Sequence, residues 1–230
     1  MSRLPIRVAL RSAPAEIRSR TTAAAVRMVR REPFEFDGRT YNYLIHHHNT
    51  TWRNERTVEV PIAVRVLDER SPARVLEVGN VLRNYLPENH PAAGRVVVDM
   101  YEVGAGVQNI DVLDHEPDAP YDVIVALSTL EHVGLDEDVV EPDKAARAIE
   151  LMQTWLAPGG VMLVTVPLGY HSELDRRLLE GPVLFDDLKF MRRVSADGRW
   201  EQADADQVRG ARFGSPYPFA NVIAVGRTRG

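Results

Sequence analysis

The chain contains no cysteine in 230 residues. Disulfides, thiolate metal ligands and a cysteine nucleophile are therefore excluded. Lysine is almost as scarce: Lys144 and Lys189 stand among 28 Lys and Arg residues. That skew reads as GC-rich coding rather than as chemistry. No apolar run is long enough to cross a bilayer, so no membrane insertion is expected. The N-terminus carries no apolar stretch of signal-peptide type. Excess positive charge is absent too; a net charge of −5 argues against a general nucleic-acid binder. A cytoplasmic protein is the resulting expectation. With 44% hydrophobic residues, the chain can bury the core of one domain.

Charge is nevertheless uneven. Residues 1–31 hold eight Arg and one Glu. The Ala-rich residues 15–31 predict a helix. It is read either as a contact for an anionic surface or substrate, or as a solvated extension packing one face on the domain. Pro33 and a turn at Asp37-Gly38 break it. Residues 41–56, YNYLIHHHNTTWRNER, form a polar and aromatic stretch. One reading is a lid, with Tyr43, Asn49, Trp52 and Arg56 touching a ligand; the other is a surface segment packing its aromatics. In the His46-His47-His48 run, strand alternation would let His46 and His48 at most share an ion. No further ligand has suitable spacing, so no metal is expected. A helix is predicted over 55–70, with Val58, Ile62, Val66 and Leu67 on its apolar face. Pro61 suits a helix start better than an interior. The expected division is a basic extension with lid, 1–56, and an α/β domain, 57–230.

From residue 74 the pattern changes. Strands are predicted at 74–78, 95–99, 107–112, 121–127 and 161–166. An amphipathic helix is predicted over 139–156, with Ala145, Ala148, Ile149, Met152 and Leu156 inward and Pro158-Gly159-Gly160 ending it. Near-continuous Val, Ile and Leu runs indicate a parallel sheet buried on both faces. Late strands are predicted at 189–194 and 221–228. The order strand, Gly turn, strand, acid is that of a nucleotide-binding half sheet. Gly79 closes the first strand where a ligand would approach the backbone. Asp99 ends the second strand, where an acid can accept both hydroxyls of a ribose. Asp111 follows the third, where a carboxylate can accept from an adenine amino group. Ser128-Thr129-Leu130-Glu131-His132 forms a polar patch after the fourth.

These residues together resemble class I S-adenosylmethionine-dependent methyltransferases. VLEVG at 75–79 is similar to that family's first motif, and VVVD at 96–99 to its ribose-binding strand. NIDVLD with PYDVIVALSTLEHV is similar to its third and fourth strands, and LAPGGVMLVTVP to its fifth with the preceding turn. EHVGL and PLG resemble short bacterial methyltransferase-like proteins of polysaccharide or natural-product gene clusters. The loop at Gly79-Asn80-Val81-Leu82-Arg83 departs from the family's GxGxG, and the helix between the second and third strands is nearly absent.

The resemblance implies an α/β fold: a Rossmann-like, mostly parallel seven-stranded sheet with helices on both faces and an N-terminal helical extension. It implies S-adenosylmethionine as cofactor and methyl transfer to a small-molecule or sugar acceptor, on oxygen in the leading reading. Glu77, Gly79 and Asn80 would line the methionine side. Asp99 would hold the ribose, with Glu102 as competitor. Asp111 and Val112 would frame the adenine, and Leu127 and Ser128 would lie under the cofactor. A hydroxyl acceptor needs its proton removed, and His132 is the first candidate base, His171 the second. Glu131 orients His132 or contacts a ligand, and Tyr170 is a further acceptor contact. Arg176 and Arg177 are an anion clamp or a solvated helix face. Two other readings stay open: a non-catalytic binding protein of the same fold, and a nicotinamide-dependent oxidoreductase. A homo-oligomer is compatible with the sequence.

Overall fold

A computed structural model describes residues 19–27, 32–71, 73–181 and 183–230. Most of the basic N-terminal stretch lies outside the described residues; within them, 19–27 form helix α1. Next comes a hairpin of β1 (Phe34–Phe36) and β2 (Arg39–Tyr41). Its turn residues Asp37 and Gly38 both have positive φ, 52° and 68°. That is the two-residue geometry whose twist matches the paired strands, and Asp-Gly supplies it at low cost. Phe34 and Phe36 are buried while Glu35 between them is exposed. The turn was legible in the sequence; the strands around it were not predicted.

The main sheet has eight strands, one more than expected. They are β3 (Val75–Val78), β4 (Val96–Val98), β5 (Val107–Gln108), β6 (Tyr121–Leu127), β7 (Leu156–Pro167), β8 (Asp187–Arg193), β9 (Trp200–Ala203) and β10 (Val222–Arg229). Their spatial order is β5-β4-β3-β6-β7-β10-β8-β9. The β5-β4-β3-β6-β7 part is parallel, and β10, β8 and β9 join antiparallel. The additional strand is β9, which pairs with β8 as the sheet's edge. The strand order reverses at β3, with β4 to one side and β6 to the other. Ligands of open parallel sheets bind outside the carboxyl ends of the strands at such a point.

Alternate residues of each strand feed two cores. Val123, Val125 and Leu127 of β6 face the hairpin and helix α2 (Arg56–Glu69). Ile124 and Ala126 face helices α3 (Lys144–Thr154) and α4 (Ser172–Glu180). A short α5 (Ala205–Val208) follows β9. Ala145, Ala148, Ile149 and Met152 of α3 are buried as their spacing predicts. No described helix is long and apolar enough to cross a membrane.

Three boundaries differ from expectation. Pro61 lies inside α2. A proline there leaves the carbonyl four residues back without its intrahelical donor. Thr57 O accepts the Leu44 N–H instead, at 2.9 Å, so the freed acceptor ties the helix to the preceding segment. The α3 helix starts at Lys144 and ends at Thr154, and Leu156 already belongs to β7. Pro158-Gly159-Gly160 is a bulge within β7, where the pairing with β6 jumps from Tyr121↔Leu156 to Val123↔Val161. A Cβ at Gly160 would sit 2.9 Å from Tyr121 O, so the close approach requires glycine. The third strand is also shorter than predicted, because Asp111 caps a 3-10 turn over Val112–Asp114.

Ile124 is fully buried at the centre of the sheet. Ile124→Ala should lower unfolding stability by about 2–5 kcal/mol, through lost burial plus a cavity. A urea midpoint shift worth less than about 1 kcal/mol would contradict this placement of the core.

Candidate functional site

The carboxyl ends of β3, β4 and β6 open into a cavity of about 510 Å³. At its base β3 runs into Gly79, whose φ is +83° and whose N–H donates to Val98 O at 2.8 Å. A Cβ at 79 would lie 2.2 Å from Thr129 Oγ1. Only glycine lets the turn and the Thr129 side chain share this corner. The next residues do not form a glycine-rich loop; they turn back on themselves. Glu77, fully buried, accepts the Leu82 N–H at 2.7 Å and pairs with Arg95. Burial pushes its carboxyl up, and Arg95 opposes that shift. Glu77 therefore shapes the loop from beneath and does not line the cavity.

Gly79, Asn80, Asp99, Glu102, Asp111, Val112 and Ser128 do line it. Asp99 caps the turn after β4: its Oδ1 accepts the N–H groups of Tyr101 and Glu102 at 2.9 and 2.7 Å. Its Oδ2 accepts the Asn80 N–H at 3.3 Å, and Asn80 Nδ2 donates to Glu102 Oε1 at 2.9 Å. The two candidate ribose acids and Asn80 thus form one hydrogen-bonded group. Asp111 accepts the Leu113 N–H at 2.9 Å and pairs with Lys144, which also pairs with Glu137. One of the two lysines therefore braces the loops after β5 and β6.

The other wall comes from the N-terminal segment and the turn after β6. His48, Asn49 and Arg56 line the cavity. Tyr43 and Trp52, expected beside them, line a separate hollow with Pro33 and Trp200. Tyr43 O–H accepts the Trp200 N–H at 2.9 Å, so it serves packing. Among the described residues no group of three or more His, Asp or Glu could hold a metal ion. His46 Nδ1 instead accepts the His48 N–H at 3.2 Å.

Sequence reading missed Glu59. It is fully buried in α2, and its Oε2 accepts from Ser128 Oγ at 2.7 Å and Thr165 Oγ1 at 2.6 Å. Its Oε1 pairs with Arg56, which also donates to Leu127 O at 2.8 Å. Leu127 itself is buried below the cavity. These bonds hold Ser128 at a φ of 40°, a strained conformation for a non-glycine residue that the surroundings must stabilise. A signal existed: Glu59 shares a helix face with the apolar Ile62 and Ala63.

The turn at 128–136 carries His132 into the lining, about half exposed. Glu131 points inward, fully buried, with Oε2 unpartnered. Desolvation raises its carboxyl well above the usual range. His171 is also buried and does not line the cavity; its Nδ1 accepts the Leu174 N–H at 3.2 Å as the cap of α4. Burial lowers its pKa. Tyr170 packs edge-on against His132, with ring centroids 4.8 Å apart. Arg176 and Arg177 pair with Glu173 and Glu150 respectively.

The turn and the carboxylates fit an adenosyl sulfonium. Asp99, Glu102, Asp111 and Glu137 outnumber Arg56 along the lining, and carboxylates can accept hydrogen bonds from ribose hydroxyls and favour a positive sulfonium.

Comparison with known proteins gives the following. The profile of the family described as a methyltransferase domain matches residues 52–206. No curated protein matches the sequence. Among solved structures, the N-methyltransferase NodS from Bradyrhizobium japonicum WM9, in complex with S-adenosyl-L-homocysteine, aligns at 14% identity. The match covers 73% of this chain and 83% of that one, with a TM-score of 0.46. The sugar N-methyltransferase KedS8 from Streptoalloteichus sp ATCC 53650 aligns at 15% identity over 71% and 84% of the two chains, TM-score 0.37. The amino pentose methyltransferase CalS10 from Micromonospora echinaspora aligns at 14% over 78% and 93%, TM-score 0.38.

Two outcomes are expected here. Asp99→Ala should weaken S-adenosylhomocysteine binding by about tenfold or more, from loss of charge-assisted hydrogen bonds and of the turn they hold. Unchanged affinity by calorimetry would pass the ribose role to Glu102. Glu131 binds its proton more tightly in the folded than in the unfolded chain, so it costs stability as pH rises above the unfolded-state value of an ordinary carboxyl. Glu131→Gln should therefore flatten the decline in unfolding free energy as pH rises above the ordinary carboxyl value of 4.5. An equally steep decline in the variant would show that Glu131 is not the titrating group.

Proposed function

We propose, for a chain that belongs to the methyltransferase-domain family and takes S-adenosylmethionine as its cofactor, that the acceptor is a hydroxyl of a sugar or other small molecule. His132 is its base. The observation that carries this reading is the position of His132: it is the imidazole on the turn after β6, it lines the cavity, and it is open to solvent on one side. Gly79, Asn80 and Thr129 would hold the methionine part, Asp99 and Glu102 the ribose, and Asp111 and Val112 the adenine.

When bound, S-adenosylmethionine supplies a methyl group on a sulfonium that is already a good leaving group. The protein's share is then alignment, exclusion of water and proton removal. Asn49 and Arg56 stand on the wall opposite the β4 loop and would orient the acceptor. His132 Nε2 takes the hydroxyl proton as the oxygen attacks. Tyr170 packs beside this imidazole and Glu131 lies beneath it, so both support the base. His171, as a buried helix cap, has no part in the transfer, and Tyr43 and Trp52 act at a distance from it. A cytoplasmic setting is part of this reading. Natural-product or polysaccharide assembly is the fitting context.

The test is methyl-label transfer from S-adenosylmethionine to a panel of sugars and hydroxylated small molecules. Wild type should label one class. His132→Ala should lose roughly 100-fold or more in turnover while S-adenosylhomocysteine affinity stays unchanged. Full turnover in the variant, or labelling confined to amines, would overturn the oxygen reading.

A further inference from the structure

His132 does not stand alone. The chain after β6 turns helically, and the Asp136 and Leu135 N–H groups donate to His132 O at 3.0 and 3.1 Å. Asp136 therefore lies one turn beyond His132 on the same side. Its Oδ2 is 2.5 Å from His132 Nδ1 and accepts the Tyr170 O–H at 2.6 Å. Tyr170 is buttressed by Phe213, with centroids 5.1 Å apart. The Tyr101 O–H donates to Asp136 O at 3.3 Å, which links the frame to the turn capped by Asp99.

A carboxylate only accepts hydrogen bonds. The imidazole nitrogen facing Asp136 must then carry its proton. Bonds from Tyr170 and His132 hold the Asp136 carboxyl below its usual value, so it stays ionised. Tyr170 is pushed up to about 12, by burial and by Asp136, so it stays a donor. The opposite nitrogen, Nε2, lies 3.6 Å from Glu131 Oε1, too far for a hydrogen bond. Glu137, a further acid of the lining, is held by Lys144. Among the described residues no hydrogen bond occupies the Nε2 lone pair.

We propose that Asp136 is the positioning residue of this site: it fixes His132 as the Nδ1–H tautomer and leaves Nε2 free to accept the acceptor's proton. The inference rests on the base reading of His132. In the step, the acceptor O–H bond breaks and its proton forms an N–H bond at Nε2. The oxygen keeps the electron pair that makes the new O–C bond, and the S–C pair remains on sulfur. The imidazolium then forms against an anionic partner already in place, and its proton leaves to solvent. The link through Tyr101 makes the base's position depend on the same turn that holds the ribose acid.

The test reads the tautomer directly. Full-length chain with ¹⁵N-labelled histidine is observed by long-range ¹H–¹⁵N correlation, with and without S-adenosylhomocysteine, and His132 is assigned by its loss in His132→Gln. Wild type should show Nδ1–H. In Asp136→Ala the Nε2–H form, which free imidazole prefers, should become the major one. Asp136→Glu should restore Nδ1–H, and Tyr170→Phe should retain it. S-adenosylhomocysteine affinity of the variants serves as the fold check. Nε2–H in wild type, or Nδ1–H persisting in Asp136→Ala, would overturn the proposal. Failure of S-adenosylhomocysteine to bind wild type would instead strike the cofactor assignment, and full turnover in His132→Ala the base assignment.

Discussion

Glu59 is the residue on which the site's geometry depends. A buried carboxylate is stabilised only by a full set of donors, and Glu59 collects them from three elements: Arg56 on its own helix, Ser128 at the end of β6 and Thr165 in β7. The bonds therefore fix where α2 sits over the sheet, where the β6 strand breaks into its polar turn, and how that turn leaves the sheet. His132 and the Gly79 corner inherit their positions from this arrangement, because Thr129 packs into the space that Gly79 leaves. Removing Glu59 would leave the Arg56 guanidinium without its anionic partner and two buried hydroxyl donors without their acceptor, which costs more than the net worth of the bonds.

The cavity is asymmetric in charge. Asp99, Glu102, Asp111 and Glu137 line one side, and Arg56 is the guanidinium on the other, already paired with Glu59. Lys144 compensates two of the acids from behind. The remaining negative excess suits a ligand that carries a positive sulfonium and ribose hydroxyls, and it suits a phosphate-bearing dinucleotide poorly. The loop after β3 agrees: no run of glycines presents backbone N–H groups to a pyrophosphate, and Glu77 draws the Leu82 N–H inward instead. The oxidoreductase alternative loses its main physical support here.

The parallel half of the sheet was legible because its strands are long apolar runs ended by glycine or acid, and Tyr121–Leu127 was found residue for residue. Of the expected cofactor contacts, Gly79, Asp99, Asp111 and Ser128 were named from strand ends and Asn80, Glu102 and Val112 from the family resemblance, and the structure gathers them on one cavity. What was missed depends on tertiary context. The Asp-Gly turn was read without its strands because three-residue strands carry too little alternation. Trp200–Ala203 is short and mostly polar, an edge strand by pairing rather than by pattern. Pro61 was misplaced because its compensation comes from Leu44, a residue outside the helix. Asp136 escaped notice because its meaning lies in Tyr170, thirty-four residues on.

The central claim is that the edge formed by β3, β4 and β6 receives the adenosyl group of S-adenosylmethionine. A crystal structure of the chain grown with S-adenosylhomocysteine tests it most directly. The ligand should lie with its ribose at Asp99 and Glu102, its adenine by Val112 and its sulfur facing the His132 side. Density for the ligand in the hollow beside Trp52 and Trp200, with the β3–β4–β6 edge empty, would contradict the account.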